Sequence, residues 1–210
     1  PAEGGERRML TTQFEVADAR RFVPMWDEPS AKATFALEVV IPQGQSAYSN
    51  MPVASSAEAN GKQVVRFATS PRMSSYLLHL TVGDLERISR KAAGVEIGIV
   101  TRKGAAEQGR VALDAAAEIL PWYNDYFGTS YPLPKLDMIA VPGTSQFFGA
   151  MENWGAIMYF EQALLMDPQV SSESDRLNIY DAVAHEMAHQ WFGNLVTAAD
   201  GTVTYDKIKD

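Results

Sequence analysis

The chain has 210 residues, of which 46% are hydrophobic and 21% are charged, an ordinary composition for a globular protein. Its formal net charge of -8 at pH 7 argues against nucleic acid or an anionic membrane as a partner. Cysteine is absent, which excludes disulfides and thiolate metal sites, so histidine and carboxylate must supply any metal ligands. No apolar run approaches the roughly 18 residues of a transmembrane helix. We expect a soluble protein with no membrane segment, its compartment open and the cytoplasm favoured.

The first half of the chain reads as β structure. Apolar residues alternate with others from Phe35 to Ile41, and Gln63 to Thr69, Tyr76 to Val82 and Val95 to Ile99 are similarly strand-like. Glycine and proline interrupt these runs at hairpin intervals. The polar stretch Thr101–Gly104 is predicted to be a linker, which places a β-rich domain over residues 1–100. The lone His79 is interpreted as a hydrogen-bonded core histidine.

The second half, residues 101–210, changes to a mixed pattern. A helical period begins after Ala105 and ends at Gly128, and Pro121 is expected to kink or divide that helix. Leu136–Val141 and Ala156–Phe160 are predicted strands. The organisation is a β domain followed by a mixed α/β domain.

A second helix is predicted over residues 174–192. Ser172 with Asp175 three residues later is typical of a capping box, and Gly193 supplies a stop. An apolar stripe is expected along this helix, and its members are Leu177, Tyr180, Val183, Ala184, Met187 and Trp191.

The same helix carries His185, Glu186 and His189 in the spacing His-Glu-x-x-His. At roughly 100° per residue the two histidines differ by about 40° around the helix, and Glu186 falls between them. Two imidazoles so placed can hold one zinc ion while the carboxylate handles protons. The alternative is a pair of solvent-capped histidines on a helix face. A buried helix needs partners for two histidines, which favours the metal.

The run from Gly149 to Gly155 is a second unusual feature, in which two glycines frame Glu152, Asn153 and Trp154. It is predicted to be an edge strand or loop. Glycine permits close approach of backbone to a ligand, so main-chain groups could pair with a peptide while Glu152 meets a positive group. A tight turn without function remains the alternative.

Taken together, these motifs resemble, in order and spacing, the zinc aminopeptidases of the aminopeptidase N type, which are gluzincins. The matching segments are Thr12–Glu15, Trp26–Pro29, Tyr131–Asp137, Gly149–Asn153, His185–Trp191 and Phe192–Thr197. The resemblance implies a mainly β N-terminal domain followed by a mixed α/β, thermolysin-like catalytic domain, both incomplete.

The resemblance also implies residue roles. His185 and His189 would bind zinc, and Glu186 would be the general base. Gly149, Ala150, Met151, Glu152 and Asn153 would bind the substrate backbone, with Glu152 holding the free α-amine. Gln13 and Glu15 would line the pocket for the first side chain. The implied activity is removal of N-terminal residues from peptides that have a free N-terminus.

The chain departs from the family pattern after Asp200. The family draws a third zinc ligand from a glutamate about eighteen residues beyond the second histidine, and that position is Ile208 here. Asp200, Asp206 and Asp210 do not stand at the matching position. The oxyanion-stabilising tyrosine of the family would lie beyond the last residue. We therefore expect a truncated chain with little activity of its own.

Two alternatives stay open beside the aminopeptidase. One is an inactive fragment or pseudo-enzyme that retains peptide or zinc binding, and the other is a zinc endopeptidase. Strands that precede Pro1 in the family are absent, so the remaining sheet is expected to expose its edges and to favour self-association.

Overall fold

The computed structural model describes residues 8–146, 148–167 and 169–197. Within these ranges, in chain order, lie β1 (Leu10–Thr11), α1 (Ala19–Phe22), β2 (Glu38–Pro42), β3 (Ser46–Ser49), β4 (Val53–Ala59), β5 (Lys62–Phe67), β6 (Leu80–Gly83), β7 (Leu85–Ala92), β8 (Val95–Arg102), α2 (Arg110–Tyr126), β9 (Lys135–Val141), β10 (Ala150–Met151), β11 (Ala156–Phe160) and α3 (Glu173–His189). None of these helices has the length and apolar composition needed to span a bilayer.

The N-terminal part contains two antiparallel sheets of three strands each, in the orders β1-β6-β3 and β2-β5-β4. Their apolar side chains share a small core formed by Ile41, Ala47, Val65, Phe67, Leu80 and Val82. Every residue of β4 is exposed, and β4 lies at the edge of its sheet. The predicted β-rich N-terminal region is therefore confirmed.

The larger core surrounds a five-stranded sheet in the order β10-β11-β9-β8-β7. β8, β9 and β11 are parallel, whereas β7 and β10 pair antiparallel at the two edges. All seven residues of β9 are buried, as expected for a central strand covered on both faces. α2 connects β8 to the parallel strand β9, so these three elements form a βαβ unit. A mixed α/β region thus follows the β region, as predicted.

The predicted linker at Thr101–Gly104 is wrong in part, because Thr101 and Arg102 are the last residues of β8. The strand continues there since β8 pairs with β7 up to Arg102. The proposed division into residues 1–100 and 101–210 stays a prediction, and the five-stranded sheet contains strands from both sides of it.

Pro121 does not divide the second helix, since α2 runs without a break from Arg110 to Tyr126. A proline inside a helix costs about 3 kcal/mol. Contacts on both sides of Pro121 offset this cost, because Ile119 and Leu120 lie in the core and the Tyr123 hydroxyl donates to the carbonyl of Ala184 at 2.9 Å. The helix ends at Tyr126, and the predicted stop residue Gly128 follows the C-cap Phe127 with a φ of +62°.

α3 begins with the predicted capping box. The Ser172 hydroxyl accepts from the Asp175 backbone N–H at 3.2 Å, and the Asp175 carboxylate accepts from the Ser172 N–H at 2.7 Å. The predicted apolar stripe is correct only towards the C-terminal end. Leu177 and Tyr180 are exposed, because the first turns of α3 face the core through Ile179 instead.

The segment predicted as a strand over Tyr76–Val82 begins as a 3-10 turn at Ser75–Leu77, and strand geometry starts only at Leu80. Side-chain hydrogen bonds stabilise the turn, since the Ser75 hydroxyl donates to Asp27 and that of Ser74 donates to the Pro29 carbonyl. Asp27, which belongs to the matching segment Trp26–Pro29, is buried.

His79 is the core histidine that the sequence predicts. It is fully buried, and its Nε2 lies 2.8 Å from the Thr81 hydroxyl. Burial lowers the pKa of His79 to about 3, so the ring is neutral at physiological pH.

Candidate active site

The two histidines of α3 point at a common position. Their Nε2 atoms are 3.1 Å apart, and the ring planes cross at 84°. Two nitrogens bound tetrahedrally to zinc at 2.0–2.1 Å would be separated by about 3.3–3.4 Å. The pair therefore fits two positions of a zinc coordination sphere, and the geometry agrees with the one-turn spacing of His185 and His189.

Both imidazoles are held in the form that binds metals. Burial, followed by the neighbouring His189, lowers the pKa of His185 to about 4, and burial also lowers the pKa of His189. The Nδ1 atom of His189 lies 3.2 Å from the Phe192 carbonyl. Donation from Nδ1 to that carbonyl leaves the Nε2 lone pair free for a ligand. Neutral histidines bind a metal without having to release a proton.

Glu186 lies beside the pair with a carboxyl group that is almost completely buried. Among the residues that the structure describes, its Oε2 atom has no hydrogen-bond partner. Burial, followed by the charges of Glu152 and Glu15, raises the pKa of Glu186 well above its usual value. An unpartnered buried oxygen costs about 1–3 kcal/mol. This arrangement suits a group that receives a proton from a bound molecule.

These side chains share one open pocket of about 520 Å³. The residues around it are Glu15, Tyr76, Phe148, Gly149, Ala150, Glu152, Ala163, Asn178, Asp181, Ala182, His185, Glu186 and His189. The pocket thus brings the histidine pair, the predicted base and three further carboxylates, Glu15, Glu152 and Asp181, to one place. His185, Glu186, His189 and Glu152, four of the residues that the sequence predicts for the site, therefore line one pocket.

Not every predicted site residue reaches the pocket. Gly149, Ala150, Glu152 and Glu15 line it, but Gln13 does not. The side chain of Met151 lies in the large core, and that of Asn153 is fully buried. Met151 follows the pocket-lining Ala150 in the extended strand β10, where successive side chains point to opposite faces, whereas Asn153 lies beyond the end of that strand.

The structure adds pocket residues that the sequence analysis missed. Asn178 and Asp181 precede His185 by seven and four residues, a helical spacing that would have placed them on the same face. Tyr76 carries no such signal, because it reaches the pocket from the 3-10 turn of the β region. Burial, followed by the charges of Glu152 and Glu15, raises its pKa.

A third ligand is not found within residues 8–146, 148–167 and 169–197, where no group of three or more histidine, aspartate or glutamate residues could hold a metal. Asp200, Asp206, Ile208 and Asp210 lie outside the described residues.

A second cavity, of about 410 Å³, lies between the β region and the five-stranded sheet. Its charged groups already pair with each other: Asp137 accepts from Arg87 and from Lys135, both at 2.8 Å. The buried Lys135 ammonium also donates to the carbonyls of Ser49 and Gly155. This cavity therefore marks a structural ion network that joins the two regions.

Glu15 and Glu152 line the same pocket as the histidine pair, and this crowding of carboxylates predicts that the stability of the protein depends on pH through Glu15. Burial, followed by the charge of Glu152, raises the pKa of Glu15 to about 7. The wild-type protein therefore gains stability from protonated Glu15 below pH 4.5, and it loses that gain as the pH rises through 7. In the metal-free protein we expect Glu15→Gln to be more stabilising, relative to wild type, at pH 8 than at pH 5. Urea unfolding at the two pH values measures this, and an equal difference at both would contradict it.

Comparison with known proteins places this site in a family. Residues 1–77 match the peptidase M1 N-terminal domain, and residues 111–202 match the peptidase family M1 domain. Aminopeptidase N of Acetobacter pasteurianus is 53% identical over 195 residues, which cover 92% of this chain and 55% of that protein. Puromycin-sensitive aminopeptidase of Caenorhabditis elegans is 48% identical over 92% of the chain and 21% of its own length. Aminopeptidase M1-B of Oryza sativa subsp. japonica is 46% identical over 93% of the chain and 22% of its own length.

The chain thus spans about half the length of the bacterial relative and about a fifth of the plant and nematode relatives. The resemblance seen in the motifs is confirmed, and the two matches follow the order of the β region and the mixed α/β region. The chain belongs to peptidase family M1, and it carries N-terminal-domain sequence followed by sequence of the M1 peptidase domain.

Proposed function

We propose that this site belongs to a zinc aminopeptidase that removes N-terminal residues from peptides. The observation that carries the proposal is the meeting of three features in one pocket. The Nε2 atoms of His185 and His189 converge at 3.1 Å, a carboxyl oxygen of Glu186 lacks a partner among the described residues, and Glu152 lines the same space. Peptide substrates follow from the peptidase family.

His185 and His189 would hold the zinc ion. When bound, zinc supplies Lewis acidity to a water molecule and to the scissile carbonyl. The Oε2 atom of Glu186 accepts the proton of the attacking water and returns it to the leaving amine. Burial raises the pKa of Glu186, so its carboxyl group takes up a proton more readily than a solvated glutamate does.

Glu152 explains why cleavage would be confined to chain ends. Burial raises its pKa, so an isolated carboxylate at this position is unfavourable. A peptide α-ammonium would pair with it, whereas a blocked or internal residue offers no positive charge there. Glu15 lies in the same pocket and would contact the first residue of the substrate, and the backbone of Gly149 and Ala150 would lie beside the peptide. The role of Gln13, Met151 and Asn153 in substrate binding stays a prediction.

The test uses one peptide in free and N-acetylated forms with the zinc-supplemented protein. Because we expect little activity from this chain, release of the first amino acid should be slow, but it should occur from the free form only and be lost with a chelator. Release from the acetylated form would contradict the role of Glu152. Cleavage inside a peptide blocked at both ends would select the endopeptidase alternative instead.

A non-catalytic chain is the second candidate, and it is favoured by the finding of only a two-histidine cluster in the described residues. It predicts binding of the free peptide with substoichiometric zinc and without hydrolysis. Metal analysis after dialysis, together with the same peptide assay, separates the two candidates.

Self-association through sheet edges also stays a prediction. The edge strand β4, with all seven residues exposed, provides the surface for it.

A further inference from the structure

The backbone carbonyl of Glu152 is bound by two buried amide side chains. Gln190 Nε2 donates to it at 3.0 Å, and Asn194 Nδ2 donates at 2.8 Å. Both amides are fully buried. The Oε1 atom of Gln190 accepts the Gly155 N–H at 3.1 Å, so this one side chain holds both ends of the turn 152–155. The backbone that carries Glu152 is thus attached to the segment that follows α3.

The two amides are tied to the histidine pair as directly as they are tied to Glu152. Gln190 follows His189 in sequence, and the Asn194 backbone N–H donates to the His189 carbonyl at 3.1 Å. β10, by contrast, is an edge strand of only two residues, so it offers the Glu152 backbone little support from the sheet. The position of Glu152 relative to His189 therefore depends on Gln190 and Asn194.

The distance between Glu152 and the histidine pair matters for an enzyme that cleaves at a fixed distance from the N-terminus of its substrate. In any peptide the α-nitrogen is two bonds, about 2.5 Å, from the first carbonyl carbon, and the next carbonyl lies about 3.8 Å further along. An amine-binding carboxylate can select the first peptide bond only if its distance from the reacting centre varies by less than the spacing between successive carbonyls, about 3.8 Å. A misplacement of about 1 Å can cost about 100-fold in rate.

We propose that Gln190 and Asn194 are positioning residues that fix the spacing between the amine-binding Glu152 and the histidine pair. This inference rests on the proposed function. The two side chains touch neither the substrate nor the metal in this assignment. They act through the Glu152 carbonyl. By fixing the position of Glu152, they determine which peptide bond of the substrate, counted from its free N-terminus, lies at the reacting centre.

The test removes the amides and keeps the side-chain volume. Asn194→Leu deletes one donor to Glu152, and it also removes a buried Oδ1 that has no partner among the described residues, so this variant is expected to fold. Gln190→Met deletes the contacts to Glu152 and Gly155 together. Gln63→Met is the matched control, because it loses an amide that donates to Ser56 in the sheet β2-β5-β4, away from the pocket.

Binding is measured by calorimetry in zinc-loaded protein that carries Glu186→Gln, so that the peptide is not consumed. Three probes of the same sequence begin with alanine, N-acetylalanine or β-alanine, and the last adds one carbon between amine and carbonyl. In the Glu186→Gln protein with Gln190 and Asn194 intact, we expect the alanine peptide to bind at least about tenfold more tightly than either of the other two peptides. Asn194→Leu and Gln190→Met should reduce both ratios towards one, while Gln63→Met should leave them unchanged.

The outcomes separate this inference from the proposed function. If the parent protein shows no preference for the free amine, the proposed function and the inference both fail. If it shows the preference, and the folded variants keep both ratios with unchanged zinc content, the inference alone fails. A uniform loss of affinity for all three peptides indicates a structural role only, and it also overturns the inference. Should Gln190→Met not fold, Asn194→Leu decides.

Discussion

Replacing Glu186 by glutamine is expected to lower kcat by about 10²–10⁴-fold while zinc binding is retained. The size follows from the usual contribution of a general acid–base group. Glutamine has nearly the shape of glutamate but cannot accept and return the proton. Zinc should remain, because the ligand atoms belong to His185 and His189, whose Nε2 atoms already converge.

The fold should tolerate this change. Glu186 is almost completely buried, and burial raises its pKa, so the folded protein disfavours its charged form. A neutral amide removes that cost, and we expect the midpoint of thermal unfolding of the metal-free variant to equal or exceed that of wild type. Steady-state kinetics, metal analysis and calorimetry measure the three quantities.

Glu118→Gln on the exposed face of α2 is the matched control, because it makes the same chemical change away from the pocket. It should leave kcat and zinc content unaltered. An undiminished kcat in Glu186→Gln would refute the assignment of the base, and loss of zinc from the folded variant would refute the division of roles between Glu186 and the histidines.

The parts of this site that could be predicted from sequence are those fixed by local geometry. The capping box at Ser172 sets the start of α3, and the helical period alone brings His185 and His189 to the same face. β11 occupies the predicted range Ala156–Phe160 because a short apolar run between turn residues is strand-like wherever it packs.

The other parts depend on contacts between distant segments, which no local pattern contains. Tyr76 enters the pocket from a turn held by hydrogen bonds to the segment around Asp27. The parallel pairing of β8 with β9 joins strands that are separated by α2. The first turns of α3 contact the core through Ile179 rather than Leu177, a choice made by the neighbouring elements and not by the helical period.

The segment Gly149–Gly155, called here the Glu152 loop, shows most clearly that a local sequence pattern does not reveal contacts between distant segments. The sequence marks it as unusual through two glycines, but it does not show what lies against them. Among the residues that the structure describes, none apart from its chain neighbours would have an atom within 4 Å of a Cβ placed at Gly149. At Gly155 a Cβ would lie 2.5 Å from the backbone oxygen of Asn50, a residue more than one hundred positions earlier in the chain. The two glycines therefore have different physical requirements.

Gly155→Ala is consequently expected to destabilise the protein by about 2–5 kcal/mol, a sum of the cost of a positive φ and that of overpacking. Gly155 has a φ of +76°, and its added methyl group would meet both the Asn50 carbonyl and the Leu133 side chain. The Asn50 oxygen belongs to the backbone, so it can move only if the end of β3 moves with it. Chemical denaturation with urea measures the loss.

Gly94→Ala separates the two contributions. Gly94 has a similar φ of +81°, but a Cβ there would have nothing within 4 Å among the described residues. It should therefore show only the backbone cost of about 1–2 kcal/mol. Equal losses for the two variants would mean that the contact between Gly155 and Asn50 is not rigid. A larger loss for Gly155→Ala, accompanied by a weaker preference for free over acetylated peptides, would show that the β region sets the position of the Glu152 loop through this contact.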